Sequence, residues 1–358
     1  MNKVLADVFK NVNLRDLIFT IVKRNNEELF MEIRARVISQ EKGLYKISYQ
    51  GEEKLAEVSG KFRYEADTVS DFPVVGDYVI AGWPADGSNA IITGLFPRKS
   101  VFIRKAAGTN NQEQAVAANI DTVFLCMSLN KDFNIRRLER YLATAWDSGA
   151  TPVVVLTKAD LCEDVEAKIC EVNSVAGGVD VITVSSENND FDAVNEYCVS
   201  GKTVAFLGSS GVGKSTLINK IAGEDIFETS HIRNDDRGRH TTTHRELIVL
   251  KNGACLIDTP GMRELGMWNN ESGLSGAFSD VEELFAMCRF SDCSHTCEPG
   301  CAVLKALEEG SLSYERWNSY QKLTAENKYA TSMGNYMQEK KAKFKEIAKI
   351  NKKNKNKR

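Results

Sequence analysis

The chain has 358 residues, of which 42% are hydrophobic and 27% charged, and its formal net charge is −3. That length predicts two or three domains with ample buried core. No apolar run is long enough to span a membrane and the N-terminus lacks a signal-peptide pattern, so a soluble cytoplasmic protein is expected, with its nine cysteines serving as thiols or metal ligands rather than disulfides.

In chain order, residues 1–29 read as a helical N-terminal extension. From residue 30 to 98 strand signals dominate, at Arg34–Ser39, Leu44–Tyr49, Leu55–Val58, Asp77–Ala81 and Ala90–Leu95. Five short strands with Gly turns predict a small barrel, best matched by an OB-fold. Such barrels often bind oligonucleotides. Phe62, Tyr64, Phe72, Tyr78 and Trp83 are candidate base stackers there, with core packing as the alternative.

Residues 99–278 read as an α/β nucleotide domain. The strand Asp121–Met127 precedes a helix from Asn134 to about Asp147. The apolar run Pro152–Leu156 ends in Thr157-Lys158-Ala159-Asp160, which has the [NT]-K-x-D shape of a guanine reader. The Asp160 carboxylate can accept from the ring N–H and amino group of guanine. Adenine lacks that donor pair and would leave the carboxylate unpaired. Ser185 and Ser186, after the strand Val179–Thr183, are candidates for a further base contact.

The apolar strand Lys202–Leu207 then leads into Gly208-Ser209-Ser210-Gly211-Val212-Gly213-Lys214-Ser215, a complete G-x-x-x-x-G-K-[ST] phosphate loop. Its small residues let backbone N–H groups wrap the phosphates. Lys214 would neutralise the β- and γ-phosphates and Ser215 would hold Mg²⁺. The helical run from Thr216 points its N-terminal dipole at the phosphate. Asp258-Thr259-Pro260-Gly261 fits the D-x-x-G sensor of metal and γ-phosphate. In an ordinary GTPase the phosphate loop comes first and the base reader last. Here the reader comes first, which predicts a circularly permuted GTPase domain.

The stretch Arg237–His244, between phosphate loop and sensor, suits a switch ordered by ligand. Thr242 or Thr243 could complete Mg²⁺ coordination. Many GTPases place a water-orienting Gln after the D-x-x-G glycine. This chain has Met262 there, so slow intrinsic hydrolysis is expected, with the missing group supplied by the switch or a partner. His240 is the internal candidate, a loop-structuring or RNA-facing role being the alternative.

Residues 279–335 read as helical around Cys288, Cys293, His295 and Cys301, a C-x4-C-x-H-x5-C pattern. Three thiolates and one imidazole match a closed structural Zn²⁺ site. Cys297 could replace one ligand. In the tail, 336–358, ten Lys or Arg residues face two Glu, a composition that commonly seeks a polyanion.

These features together resemble the RsgA (YjeQ) family, the ribosome small subunit-dependent GTPases. The likeness runs from about Val37 to Tyr320. It is carried by Val75-Gly76-Asp77, Ile103–Gly108, Ala118–Asp121, Arg137–Leu142, the permuted GTPase motifs, Gly238–Thr243 and the cluster ending Glu298–Val303. The resemblance implies an N-terminal OB domain, a central permuted GTPase and a C-terminal zinc domain. It implies that Thr157–Asp160 and Gly208–Thr216 hold GTP or GDP, and that Cys288, Cys293, His295 and Cys301 hold zinc. It implies GTP hydrolysis stimulated by the small ribosomal subunit and its rRNA, and a monomer is expected. The cycle would act as a late assembly checkpoint and help release assembly factors. A GTP-regulated RNA-binding switch with a non-ribosomal partner is the alternative.

Overall fold

The computed structural model describes residues 21–25, 28–41, 43–84, 87–105, 113–185, 191–226, 246–258 and 271–329. The helical expectation for the first 29 residues is overturned wherever they are described. Ile21–Asn25 forms strand β1, antiparallel to the long strand β2, Glu28–Glu41, with Asn25 opposite Glu28. β-Branched Ile21 and Val22 favour a pleated strand, and pairing with β2 outweighs local helix preference.

β2 opens a closed barrel with β3 (Leu44–Tyr49), β4 (Glu52–Val58), β5 (Tyr78–Pro84) and β6 (Ala90–Leu95). The order is β2-β3-β4-β6-β5, and β5 returns to β2. Only the β4–β6 pair is parallel. This is the five-strand OB arrangement, with Ile33, Val37, Tyr45, Ile47, Val79 and Ile92 buried inside. Helix α1, Gly60–Glu65, joins β4 to β5 and is capped by Ser59, whose Oγ accepts from the Phe62 N–H. Of the candidate stackers, Phe62 meets Phe72 and Trp83 meets Tyr49 against the barrel core. Arg34 and Arg36 lie over the Tyr78 ring. Tyr64 alone of the five is left 90% exposed.

The hairpin β7 (Val101–Lys105) and β8 (Glu113–Ala118) follows. The nucleotide sheet then comprises β9 (Thr122–Ser128), β10 (Thr151–Thr157), β11 (Asp180–Thr183), β12 (Thr203–Leu207), β13 (Glu246–Val249) and β14 (Cys255–Asp258). Its order is β11-β10-β9-β12-β14-β13, all parallel except the edge strand β13. Strands covered on both faces read as continuous apolar runs; every residue of β9 and β12 is buried. Helices α2 (Ile135–Ser148), α3 (Val165–Asn173), the short α4 (Asp192–Asn195) and α5 (Lys214–Ala222) alternate with these strands. The phosphate-loop strand β12 sits at the centre although it is fourth in sequence, so the permutation changes the chain order and leaves the sheet intact.

Barrel and sheet are continuous, because Ser39 of β2 pairs with Glu246 of β13. Across that junction Arg36 donates to Thr203 Oγ1 at 2.7 Å and to the Tyr78 hydroxyl at 3.1 Å. Asp77, fully buried, accepts twice from Arg98, which also donates to the carbonyls of Ser70 and Phe72.

In the C-terminal region α6 (Glu271–Ala277) packs on α2, and α7 (Ser279–Ala286), α8 (Ala302–Glu309) and a helix over 314–329, α9, follow it. The buried carboxylate of Glu139 on α2 accepts from Arg316 at 2.8 Å and from Arg136 and Ser319. Arg316 also donates to Asp280 and to the Ala277 carbonyl. Breaking such a buried pair from one side costs about 3–5 kcal/mol.

At the end of α2, Asp147 accepts the Gly273 N–H at 2.8 Å. Burial raises its carboxyl to about 7, opposed by that hydrogen bond. Unfolded Asp titrates near about 3.9, so the folded state binds the proton more tightly and stability falls as pH rises from about 4 to 7. D147N keeps the acceptor and removes the charge. It is expected to gain about 1–2 kcal/mol over the parent at about pH 8, after solvent screening, and nothing at about pH 3, below both values. Thermal melts at the two pH values check this, and an equal gain at both contradicts it.

Candidate functional site

The phosphate loop leaves β12 where that strand lies against β9. A Cβ on Gly208 would stand 2.6 Å from the Cys126 carbonyl oxygen of β9, so no other residue fits there. Gly211 and Gly213 take φ of 79° and 97°, left-handed values that turn the loop into the N-terminus of α5. Lys214 is 5% exposed. Its ammonium donates to the carbonyls of Gly208 at 2.7 Å and Ser209 at 2.6 Å, which holds it over the loop it would share with phosphates.

The segment Thr157–Asp160 ends the second strand away, β10, and is tied to this loop directly. Thr157 Oγ1 donates to the Val212 carbonyl at 2.5 Å, and Lys158 Nζ to the Gly211 carbonyl at 2.8 Å. Lys158 takes φ of 58°, which turns the chain into the short 3₁₀ turn Ala159–Leu161. The Ala159 N–H bonds to the Val184 carbonyl, and Ser185 Oγ donates to Asp160 Oδ1 at 2.8 Å. Ser185, a sequence candidate for a further base contact, is thus brought to Asp160. Asp258 ends β14, the strand beside β12, and is buried. Thr157, Gly208 and Asp258 lie at the carboxyl ends of the parallel strands β10, β12 and β14, where open α/β sheets place ligands. Ser210, Ser215 and Thr216 belong to the same loop and first helical turn. Ser186, His240, Thr242, Thr243, Gly261 and Met262 lie outside the described residues.

The sequence reading missed two residues beside the loop. Asp132 Oδ2 accepts from Ser209 Oγ at 2.9 Å and from Arg137 at 3.0 Å, and Arg137 Nη1 also reaches Ser209 Oγ at 3.0 Å. Burial raises the Asp132 carboxyl, but the bonds from Arg137 and Ser209 prevail and hold it below its ordinary value. An Asp and an Arg five apart at the start of a helix, after the strand flanking the phosphate strand, was the available signal.

The second site is the Cys/His cluster. The ligand atoms of Cys288, Cys293, His295 and Cys301 all lie within 4.8 Å of one another. Cys288 and Cys301 sulfurs are 4.0 Å apart, and each is 3.6 Å from His295 Nδ1. A tetrahedron with the usual Zn–S and Zn–N lengths has S···S edges of about 3.8 Å and S···N edges of about 3.6 Å, so these donors fit zinc. Cys297 is exposed and stands apart from that set. Glu298 fixes the loop by accepting the N–H groups of Ser294, Thr296 and Cys297 and the Ser294 hydroxyl. These bonds, led by the one from the Ser294 hydroxyl, hold its carboxyl well below the usual range. The His295 ring stacks on Phe285 with centroids 4.3 Å apart. Cys301 also caps α8 by accepting from the Leu304 N–H.

The family model for RsgA GTPase matches residues 95–268. A model for ABC transporters matches 191–348, a stretch that holds the phosphate loop both kinds of protein share; no helix among the described residues is long and apolar enough to cross a membrane. The chain is 51% identical over 301 residues to small ribosomal subunit biogenesis GTPase RsgA 2 of Lactiplantibacillus plantarum, covering 83% of this chain and 84% of that one. It is 41% identical to RsgA 1 of Oceanobacillus iheyensis, covering 93% and 96%. Among solved structures it resembles YjeQ from Thermotoga maritima, with a TM-score of 0.61 and 27% identity over 82% of this chain and 98% of that one. It resembles YloQ, a circularly permuted GTPase, with a TM-score of 0.61 and 25% identity over 86% and 98%.

Proposed function

The chain belongs to the RsgA GTPase family, and on that premise we propose that this GTPase works on the small ribosomal subunit late in its maturation. It binds the subunit and its rRNA, hydrolyses GTP to GDP and phosphate as an assembly checkpoint, and helps release assembly factors. The observation that carries the reading is the direct joining of guanine reader and phosphate loop through Lys158 and Gly211 and through Thr157 and Val212. The relatives named as small-subunit biogenesis GTPases supply the partner.

In this reading Asp160 reads the base with Ser185 and Ser186 beside it, and Thr157, Lys158 and Ala159 frame it. Gly208 to Thr216 hold the phosphates, with Lys214 supplying charge. Ser215 and Asp258 hold Mg²⁺, which neutralises developing charge on the phosphates when bound; Thr242 or Thr243 completes that set. Gly261 senses the γ-phosphate and His240 orients the attacking water. Cys288, Cys293, His295 and Cys301 hold one structural Zn²⁺. The units are an extension over 1–29, a barrel over 30–98, the GTPase over 99–278, the zinc unit over 279–335 and a basic tail over 336–358. The protein acts as a cytoplasmic monomer.

The test is GTP turnover with and without purified small subunits, large subunits and free RNA being controls. A stimulation of about 10²-fold or more by small subunits alone is expected, on the scale of partner-stimulated GTPases. Unresponsive turnover would leave the GTP site standing and move the partner elsewhere, to a non-ribosomal RNA.

A further inference from the structure

Helix α2 meets both the phosphate loop and the C-terminal region. Two of its residues are locked to α9: Glu139, fully buried, by Arg316 and Ser319, and Arg140 by Glu326. One turn earlier Arg137 points to the phosphate loop, where one Nη1 is 3.0 Å from both Ser209 Oγ and Asp132 Oδ2. Ser209 in turn donates to Asp132 at 2.9 Å. The three groups close a triangle whose base is a helix anchored on its other side.

Ser209 is also one of the two residues whose carbonyls hold the Lys214 ammonium. The side chain of Ser209 therefore answers to Arg137 and Asp132, while its backbone answers to Lys214. We propose that Arg137, with Asp132, is a positioning residue for GTP hydrolysis, aiming Lys214 through Ser209. The inference rests on the GTP-site reading given above. A lysine that neutralises the γ-phosphate matters most as charge shifts in the transition state. Misaiming it therefore lowers the rate of hydrolysis more than it lowers nucleotide affinity, and small misplacements cost up to about 10²-fold.

The experiment measures single-turnover GTP hydrolysis and GDP affinity in the full chain for R137M, S209A, the double variant, R137K and K214A. R137M and S209A are each expected to slow hydrolysis about tenfold while GDP affinity stays within about threefold. The double variant should be no slower than the slower single, because both break one triangle. R137K should recover part of the loss, since one ammonium can donate to Asp132 and Ser209 as the single Nη1 does, but lacks the second bond that Nη2 makes to Asp132. Multiplying effects in the double variant, equal losses of rate and affinity, or unchanged rates would each overturn the proposal. K214A separates the two readings: if it alone collapses while the others are silent, positioning fails and the GTP site stands. If K214A binds and turns over GTP like the parent, the site itself is misassigned.

Discussion

Replacing Asp160 by Asn is expected to turn a guanine reader into a xanthine reader. The carboxylate offers two acceptors to two guanine donors, the ring N–H and the amino group. The amide keeps one acceptor and puts an N–H donor against the amino group. One hydrogen bond is lost and two donors face each other in a site held by Ser185 at 2.8 Å. A site built for a hydrogen bond rejects the wrong partner strongly, and a loss of about 10²–10³-fold in GTP affinity follows. Xanthine carries a carbonyl where guanine carries the amino group, so it presents one donor and one acceptor, the complement of the amide. Competition of xanthosine and guanosine triphosphates against a fluorescent GDP measures the exchange. A D160N protein that still prefers guanosine by the parent's margin would remove Asp160 from the base site. Lys158 and Thr157, which bond the phosphate loop and not Asp160, keep phosphate affinity intact in the variant.

That experiment addresses a residue singled out by a short local motif, and other features had no such signal. Strand period and turn residues marked the five barrel strands, because alternation and Gly turns are local signals. A barrel was expected from them, but the strand pair that closes it was not marked, since β5 on β2 joins residues such as Arg36 and Tyr78 that lie far apart in sequence. The permuted motif order announced the GTPase, while the sheet order that makes it work depends on parallel pairings between β9, β10, β12 and β14. Ile21–Asn25 shows the limit of local propensity, as pairing with β2 overrode it. Arg137 and Asp132 stood in plain view as a polar helix start, and only the fold reveals that Ser209, over 70 positions away, is their partner. Spacing could not say whether Cys297 replaces one of the ligands, because it too lies within reach of His295 along the chain. The loop that Glu298 ties down makes the choice, turning Cys293 inward and leaving Cys297 exposed.

That choice yields the second large effect. C301S is expected to release the metal and unfold the C-terminal loop, whereas C297S is expected to do neither. Cys301 does two jobs: its sulfur lies 3.6 Å from His295 Nδ1 and accepts the Leu304 N–H that begins α8. A structural zinc in a small module supplies about 10–16 kcal/mol of apparent binding free energy, far more than a loop of 14 residues could draw from packing, so its loss is not absorbed locally. The C-terminal helices, however, have a second anchorage in the buried Glu139–Arg316 pair. The loop around residues 288–301 should therefore melt first, with α9 held on α2 and nucleotide affinity kept within roughly threefold, since the two sites share no ligand residue. Zinc content per chain, hydrogen exchange over 288–301 and GDP affinity read the three claims separately. One zinc in the parent and in C297S, and about a tenth or less in C301S, is the expected pattern. Full zinc in C301S with loss in C297S would exchange the two cysteines. Zinc in none of them would leave Cys288, Cys293, His295 and Cys301 as a cluster of three thiols and an imidazole whose role is packing.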